Sequence, residues 1–265
     1  MRPGLLEGKV AIVSGLGPGM GRDISLRFAD EGADVVLAAR RADTMEKVAA
    51  EVRERGRSAL CVATDITDND ACLALAAAAN DEFGGVDVLV NNAFHTGDFT
   101  PFMLGDLEQW RATMDTNFFG TLQLTKAVVP SMKARGGGYI VMINTMSVQR
   151  LQPGYGAYAA SKSALAAATK TLATELGPDG IRVNGIHPGY IWGDSVEWYF
   201  REVLAPQRGI TAQEVYDEIA DETALKYLPH SSEIAGAVVF YASDLAKCIT
   251  GTSLPVNAGH FMNQA

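Results

Sequence analysis

Cysteine is scarce in this chain. Cys61, Cys72 and Cys248 lie far apart among 265 residues. Their number is odd, and their spacing fits neither a disulfide framework nor a metal-ligand set. No metal site is expected, and a reduced compartment, the cytoplasm, is the simplest setting. Basic residues are also outnumbered. The 22 Lys and Arg face 31 Asp and Glu, a formal charge of −9. Such a balance argues against nucleic acid as the main partner. No uncharged apolar run reaches the length of a membrane span. The first residues, MRPGLLEGKVAIVSG, run straight into a strand without an apolar stretch and cleavage site, so neither a signal peptide nor a membrane partner is expected.

What the chain does contain is ordinary for a globular protein. Nearly half its residues are hydrophobic (48%) and a fifth are charged (20%). Its length is ample for a full core. No linker or low-complexity break interrupts it, so residues 1–265 read as a single domain.

Short apolar runs alternate with longer helical patterns. KVAIVS (9–14), ADVVLAA (33–39), SALCVAT (58–64), VDVLVNN (86–92), YIVMIN (139–144) and IRVNGIH (181–187) read as buried strands, and a last short strand falls near 252–256. Helical patterns lie between them, running to about Glu31 and then over 43–55, 68–83, 106–132, 157–176 and 231–242. Strands alternating with helices imply right-handed crossovers and a doubly wound parallel sheet of seven strands with helices on both faces. Residues 189–228 show no regular pattern. So long a loop in a compact domain points to function, here a substrate loop or lid.

Between the first strand and its helix stands SGLGPGMG (14–21). The spacing is G-x-x-x-G-x-G rather than the dinucleotide G-x-G-x-x-G. The physical need is similar: a tight turn, a backbone free of Cβ atoms, and a helix N-terminus open to an anion. Gly15, Gly17, Gly19, Met20 and Gly21 are therefore candidate phosphate contacts. The second strand ends Ala38-Ala39-Arg40-Arg41, without the carboxylate that usually accepts from the ribose 2′-OH of NAD. A guanidinium suits a phosphate. Arg40 thus favours NADP, with NAD still possible, while Arg41 also reads as the first solvated residue of the next helix.

YAASK (158–162) sits in an alanine-rich helical stretch. Four residues of spacing put Tyr158 and Lys162 on one helical face. Taken alone, such a pair is commonplace. A cation 4–5 Å from a phenol at an effective dielectric near 20 supplies about 3–4 kcal/mol. That is roughly what lowers a tyrosine from its usual pKa of about 10 to a useful base.

The glycine turn, the NNA at 91–93 and YAASK, in this order and spacing, together resemble the short-chain dehydrogenase/reductase family over nearly the whole chain. The resemblance implies a Rossmann fold and hydride and proton transfer between a nicotinamide and a carbonyl/alcohol pair. Tyr158 would be the general acid/base. Lys162 would bind the nicotinamide ribose and lower the tyrosine pKa. Asn117 would hold a water relaying protons from Lys162 to solvent. Asp65 and Ile66 would border the adenine, Asn91 and Ala93 the cofactor cleft, and Pro188, Gly189 and Ile191 the nicotinamide end. The resemblance also implies a homotetramer, with 106–132 and 157–176 forming one shared face and the C-terminal strand another.

Two positions depart from the family pattern. The substrate-side serine expected thirteen residues before the tyrosine is Thr145, with Ser147 two residues later as the alternative. The family's NNAG is NNAF, so Phe94 either shapes the substrate pocket or packs under the next loop. With Tyr155, Tyr190, Trp192 and Trp198 these are the candidate substrate contacts, and the aromatics suggest a largely apolar alcohol or ketone. His95 and His187 are not expected as catalysts; His187 reads as a satisfied buried histidine. Two other readings stay open. An epimerase- or dehydratase-like enzyme usually has a larger C-terminal substrate region. A redox sensor holding NADP without turnover typically lacks the tyrosine or the lysine.

Overall fold

The apolar runs become strands in a computed structural model that describes residues 3–17 and 19–262. The expected domain limits, residues 1 and 265, lie outside the described residues, as does Pro18 of the glycine turn. The strands are β1 (Val10–Ser14), β2 (Asp34–Ala39), β3 (Ala59–Ala63), β4 (Val88–Asn91), β5 (Gly138–Ile143), β6 (Ile181–Pro188) and β7 (Ser253–Val256). They form one sheet in the order β3-β2-β1-β4-β5-β6-β7, every pairing parallel. Strand alternation feeds two cores from each strand. Ala11 and Val13 point to one face and Val10 and Ile12 to the other. Burial on both faces is why these strands read as continuous apolar runs rather than as alternating patterns.

On the first face pack α1 (Met20–Asp30), α2 (Ala42–Glu54) and later α10 (Ser231–Ala242), through Ile24, Phe28, Met45, Ile234 and Val238. The second face is covered by α3 (Asn69–Phe83), α5 (Thr121–Ala134) and α6 (Gly156–Leu176), through Leu75, Leu124, Val128 and Leu165. Asp68 caps α3, its carboxylate accepting from the Asp70 and Ala71 amides. Winding reverses between β1 and β4, and at such a switch point the carboxyl ends of the strands leave a crevice.

Two segments differ from expectation. The stretch 106–132 is not one regular helix. It is α4 (Leu107–Met114), a π-helical stretch from Asp115 to Gly120, then α5. The wider turn contains Asn117, and π segments often mark functional positions. The stretch 189–228 is mostly helical: α7 (Asp194–Tyr199), a π turn (Phe200–Leu204), α8 (Ala205–Arg208) and α9 (Ala212–Asp221). Phe200, Leu204, Val215, Ile219 and Leu228 bury one another in a third, separate cluster. A reciprocal cap between Thr211 and Glu214 starts α9. These pieces run from four to ten residues. The π turn at Phe200–Leu204 and the left-handed Gly209 interrupt a regular helical period.

Among the described residues no helix is long and apolar enough to cross a membrane.

Candidate active site

A cleft of about 1110 Å³ opens over the carboxyl ends of the strands. Its nucleotide end is built by the glycine turn. Gly15 has φ +81°, and a Cβ there would stand 2.4 Å from the Ala93 Cα. A Cβ on Gly21 would stand 2.4 Å from the Gly15 carbonyl oxygen. These two glycines are required by the chain itself. Gly17 and Gly19 are different, because a Cβ on either meets no described atom within 4 Å. Their bare backbone leaves room beside the N-terminus of α1, which suits a pyrophosphate. The cradle therefore fits a dinucleotide. Ser14 ties it to β4, donating to the Val90 carbonyl at 3.2 Å and accepting from the Asn92 amide at 3.2 Å. The Asn92 side chain donates to the Gly15 carbonyl at 2.6 Å.

Arg40, Asp65 and Ile66 border the same end, as does Met20. Arg41, the exposed N-cap of α2, borders the cleft too. The Asp65 carboxylate accepts from the Thr67 amide at 3.0 Å and the Thr67 hydroxyl at 2.7 Å. These bonds hold it below its ordinary pKa, helped by the Arg40 charge. No carboxylate ends β2.

The reactive end lies where β5 and α6 meet. Tyr158 is part-buried on the cleft wall. Burial pushes its phenol up to about 12, while a hydrogen bond with the Thr145 hydroxyl works the other way. Lys162, one turn along α6, is buried beneath, with its Nζ 6.0 Å from the Tyr158 ring centre. Burial pulls the ammonium down to about 7. Nζ donates to the Ile143 carbonyl at 2.7 Å, which fixes the side chain against the end of β5. Thr145 and Ser147 both reach the cleft. Thr145 Oγ1 accepts from the Ser147 amide at 3.2 Å and donates to the Ser147 hydroxyl at 3.2 Å.

Asn117 is buried below the cleft. Its amide donates to the His95 carbonyl at 2.8 Å and the Ser161 hydroxyl at 2.9 Å, and its Oδ1 accepts from the His95 amide at 2.7 Å. Both amide hydrogens are thus engaged by protein. The side chain pins the 95 loop to α6, and only an Oδ1 lone pair is left for water.

Several expected contacts lie off the cleft. Asn91 turns away, donating to the Thr125 hydroxyl at 3.0 Å and the Met142 sulfur at 3.3 Å. Its neighbour Asn92 faces the glycine turn instead, because successive residues of a strand point to opposite sides. Pro188 is at the end of β6 and Gly189 and Ile191 carry the wall on. Trp198 is exposed on α7, away from the cleft. Tyr190 and Trp192 lie at the cleft and in the packing of the 189–228 segment. They line the cleft, and their rings pack on Phe200 at 5.5 and 5.8 Å. Phe94 lines the cleft edge-on to Tyr158 at 6.5 Å, and Tyr155 lies against Phe99 at 4.6 Å. His187 is buried, as expected, and neither ring nitrogen has a hydrogen-bond partner among the described residues. Asn92 and Ser161 were missed by sequence reasoning. Asn92 was in view as the middle of NNA, whereas nothing local marks a serine inside an alanine-rich helix.

The family model described as enoyl-(acyl carrier protein) reductase matches residues 15–260. The chain is 34% identical over 254 residues to a 7alpha-hydroxysteroid dehydrogenase of Escherichia coli, covering 96% of this chain and 94% of that protein. The crystal structure of L-sorbose reductase from Gluconobacter frateurii, complexed with NADPH and L-sorbose, is similar over 100% of both chains, with a TM-score of 0.92 and 33% identity. NAD+-bound xylitol dehydrogenase is similar over 95% of this chain and 98% of that one, with a TM-score of 0.88 and 30% identity. A parallel seven-stranded sheet, a glycine cradle at its switch point, a Tyr158–Lys162 pair at the cleft and full-length likeness to dehydrogenases and reductases agree, and the chain belongs to the short-chain dehydrogenase/reductase family of nicotinamide-dependent oxidoreductases.

Proposed function

We propose that the protein interconverts a secondary alcohol and a ketone on a largely apolar substrate, preferring NADP, with Tyr158 as general acid/base. The observation that carries this reading is the meeting of Tyr158, Thr145 and buried Lys162 at one end of a dinucleotide-sized cleft. A bound nicotinamide supplies or accepts the hydride. In reduction, Tyr158 gives its proton to the substrate oxygen, and the Thr145 hydroxyl donates to the same atom. Lys162 as ammonium binds ribose hydroxyls and stabilises the phenolate that remains. Nζ lies 6.0 Å from the centre of the Tyr158 ring, and a charge at about that range and an effective dielectric near 20 supplies about 3 kcal/mol, or roughly two pKa units. Asn117 anchors Ser161 and the 95 loop, and water at its free Oδ1 lone pair relays protons outward.

Arg40 and Arg41 at the nucleotide end, with no carboxylate closing β2, support NADP. The aromatic walls of Phe94, Tyr155, Tyr190 and Trp192 support an apolar substrate. The helical segment 189–228 is the substrate lid, carrying Tyr190 and Trp192 into the wall. Exposed Leu107 and Phe119 on the 106–132 segment, and Leu254 on β7, support a homotetramer using those faces, and the cytoplasm is the compartment proposed for it. The test is turnover of NADPH and NADH over a panel of ketones and alcohols, with Tyr158→Phe beside the wild type. Tyr158→Phe should abolish turnover and leave cofactor affinity nearly intact. Substantial residual turnover with a good substrate removes Tyr158 from this role.

A further inference from the structure

Beneath the catalytic helix lies a second polar group that the reading above does not use. Ile143 of β5 and Ile186 of β6 are register partners, and Asn144 and His187 follow them. The Asn144 amide donates to the Ile186 carbonyl at 2.9 Å, so the two residues continue side by side. Strand alternation sets their side chains on the face of Met142 and Val183, the face that α6 covers. Lys162 comes down onto this face from α6. Its Nζ donates to the carbonyl of Ile143, the residue just before Asn144.

All three side chains are out of solvent. Lys162 is 2% exposed, His187 3% and Asn144 3%. Yet Nδ1 and Nε2 of His187 and Nδ2 of Asn144 have no protein partner among the described residues. Buried polar atoms are nearly always satisfied, by protein or by ordered water. A leucine would fill the His187 position without any polar atom to satisfy. Burial, and then the Lys162 ammonium opposing protonation, holds the imidazole down at about 4. At neutral pH it is therefore an uncharged ring with one donor and one acceptor.

We propose that His187 and Asn144 hold ordered water against Lys162 Nζ, and that the water-bridged His187 is a positioning residue that keeps Lys162 an ammonium beneath Tyr158. This rests on the Tyr158–Lys162 reading above. No proton changes owner in the bridge. Nζ donates to water, and water donates to the ring acceptor. The titratable groups that face Nζ are Tyr158 on its own helix and His187 on β6. From β5 it meets the Ile143 carbonyl and the Asn144 amide, which carry no charge. Burial already draws Lys162 down to about 7. Loss of one acceptor moves it further into the neutral form, where it no longer supports a phenolate.

The test is the pH profile of kcat for ketone reduction in His187→Leu and His187→Gln. In His187→Leu the alkaline limb should move down by about one pH unit, and kcat at pH 8 should fall about tenfold. KM for the ketone should hold, and the thermal midpoint should hold or rise, because an unsatisfied ring is replaced by an apolar side chain. His187→Gln, which keeps a donor and an acceptor, should return the limb toward the wild type. A merely structural histidine would move the midpoint and leave the limb in place. Tyr158→Phe and Lys162→Met are run in the same assay. Turnover in either overturns the underlying reading. If both are inactive while the His187→Leu limb coincides with the wild type, the inference alone fails. It fails equally if a crystal structure shows no water within about 3 Å of a His187 ring nitrogen.

Discussion

Replacing Thr145 separates two contributions that meet in one hydroxyl. Its oxygen caps the short turn Met146–Val148, accepting the Ser147 amide at 3.2 Å. Losing a cap of this kind costs about 1 kcal/mol of stability, or roughly 2–4 °C in thermal midpoint for a chain of this size. Its hydrogen is the one placed to meet charge growing on the substrate oxygen beside Tyr158. Losing such a donor costs about 2.7–4 kcal/mol of transition-state stabilisation, a hundredfold or more in kcat. In the free protein this hydrogen points to the Ser147 hydroxyl. When it turns to substrate, Ser147 is left with a replaceable contact of about 0.5–1.5 kcal/mol, at most roughly tenfold. Thr145→Ala should therefore lose both stability and kcat. Thr145→Ser should keep both, and Ser147→Ala should change kcat only modestly. Thr145→Val is the sharpest case, since it keeps the branched shape without the hydroxyl and should lose kcat as Thr145→Ala does. The assay is initial-rate ketone reduction followed by NADPH absorbance, with thermal unfolding in parallel. Near-wild-type kcat in Thr145→Val, or a larger loss in Ser147→Ala than in Thr145→Ala, would refute the reasoning.

Arg40→Ala should weaken NADPH about tenfold and change NADH little, as read by titrating both nucleotides. The effect is modest because Arg40 is exposed, and adding Arg41→Ala should deepen it because Arg41 also borders the cleft. Ala39→Asp should push the preference further toward NADH, and a wild type that binds NADH more tightly than NADPH contradicts the NADP assignment. Lys162 is pulled from 10.5 to about 7 in the fold, so the unfolded chain binds more protons between these values. Its contribution to stability is full above about 10.5 and is lost as pH falls to 7. Denaturant unfolding without cofactor should show stability rising from pH 7 to 9 in the wild type and a flatter course in Lys162→Met. His187 behaves alike at lower pH, with a folded value near 4 against 6.5, so acidification through that window should destabilise the wild type more than His187→Leu. Light scattering should give four times the chain mass, and Phe119→Glu should reduce it.

The order of strands and helices was legible because burial on both sheet faces forces continuous apolar strands, and helices between them keep a helical period. The glycine turn was legible for a similar reason, since tight approach leaves glycine no substitute at positions 15 and 21. The Tyr158–Lys162 spacing is local to one helix, so the sequence alone put both residues on one face. Helices α7–α9 were not legible. They are short, interrupted by the π turn at Phe200–Leu204 and by Gly209, and packed on one another and on Tyr190 and Trp192. Nor was the π stretch around Asn117, since one helix pattern covers 106–132 whichever hydrogen bonds its backbone makes. Tertiary structure decided that Asn92 rather than Asn91 meets the glycine turn, a matter of strand parity at the end of β4. It also decided that Lys162 and His187, 25 positions apart in sequence, share one buried face. A sequence states which side chains exist within a few residues of one another. Whether a polar atom finds a partner depends on elements brought together from across the chain.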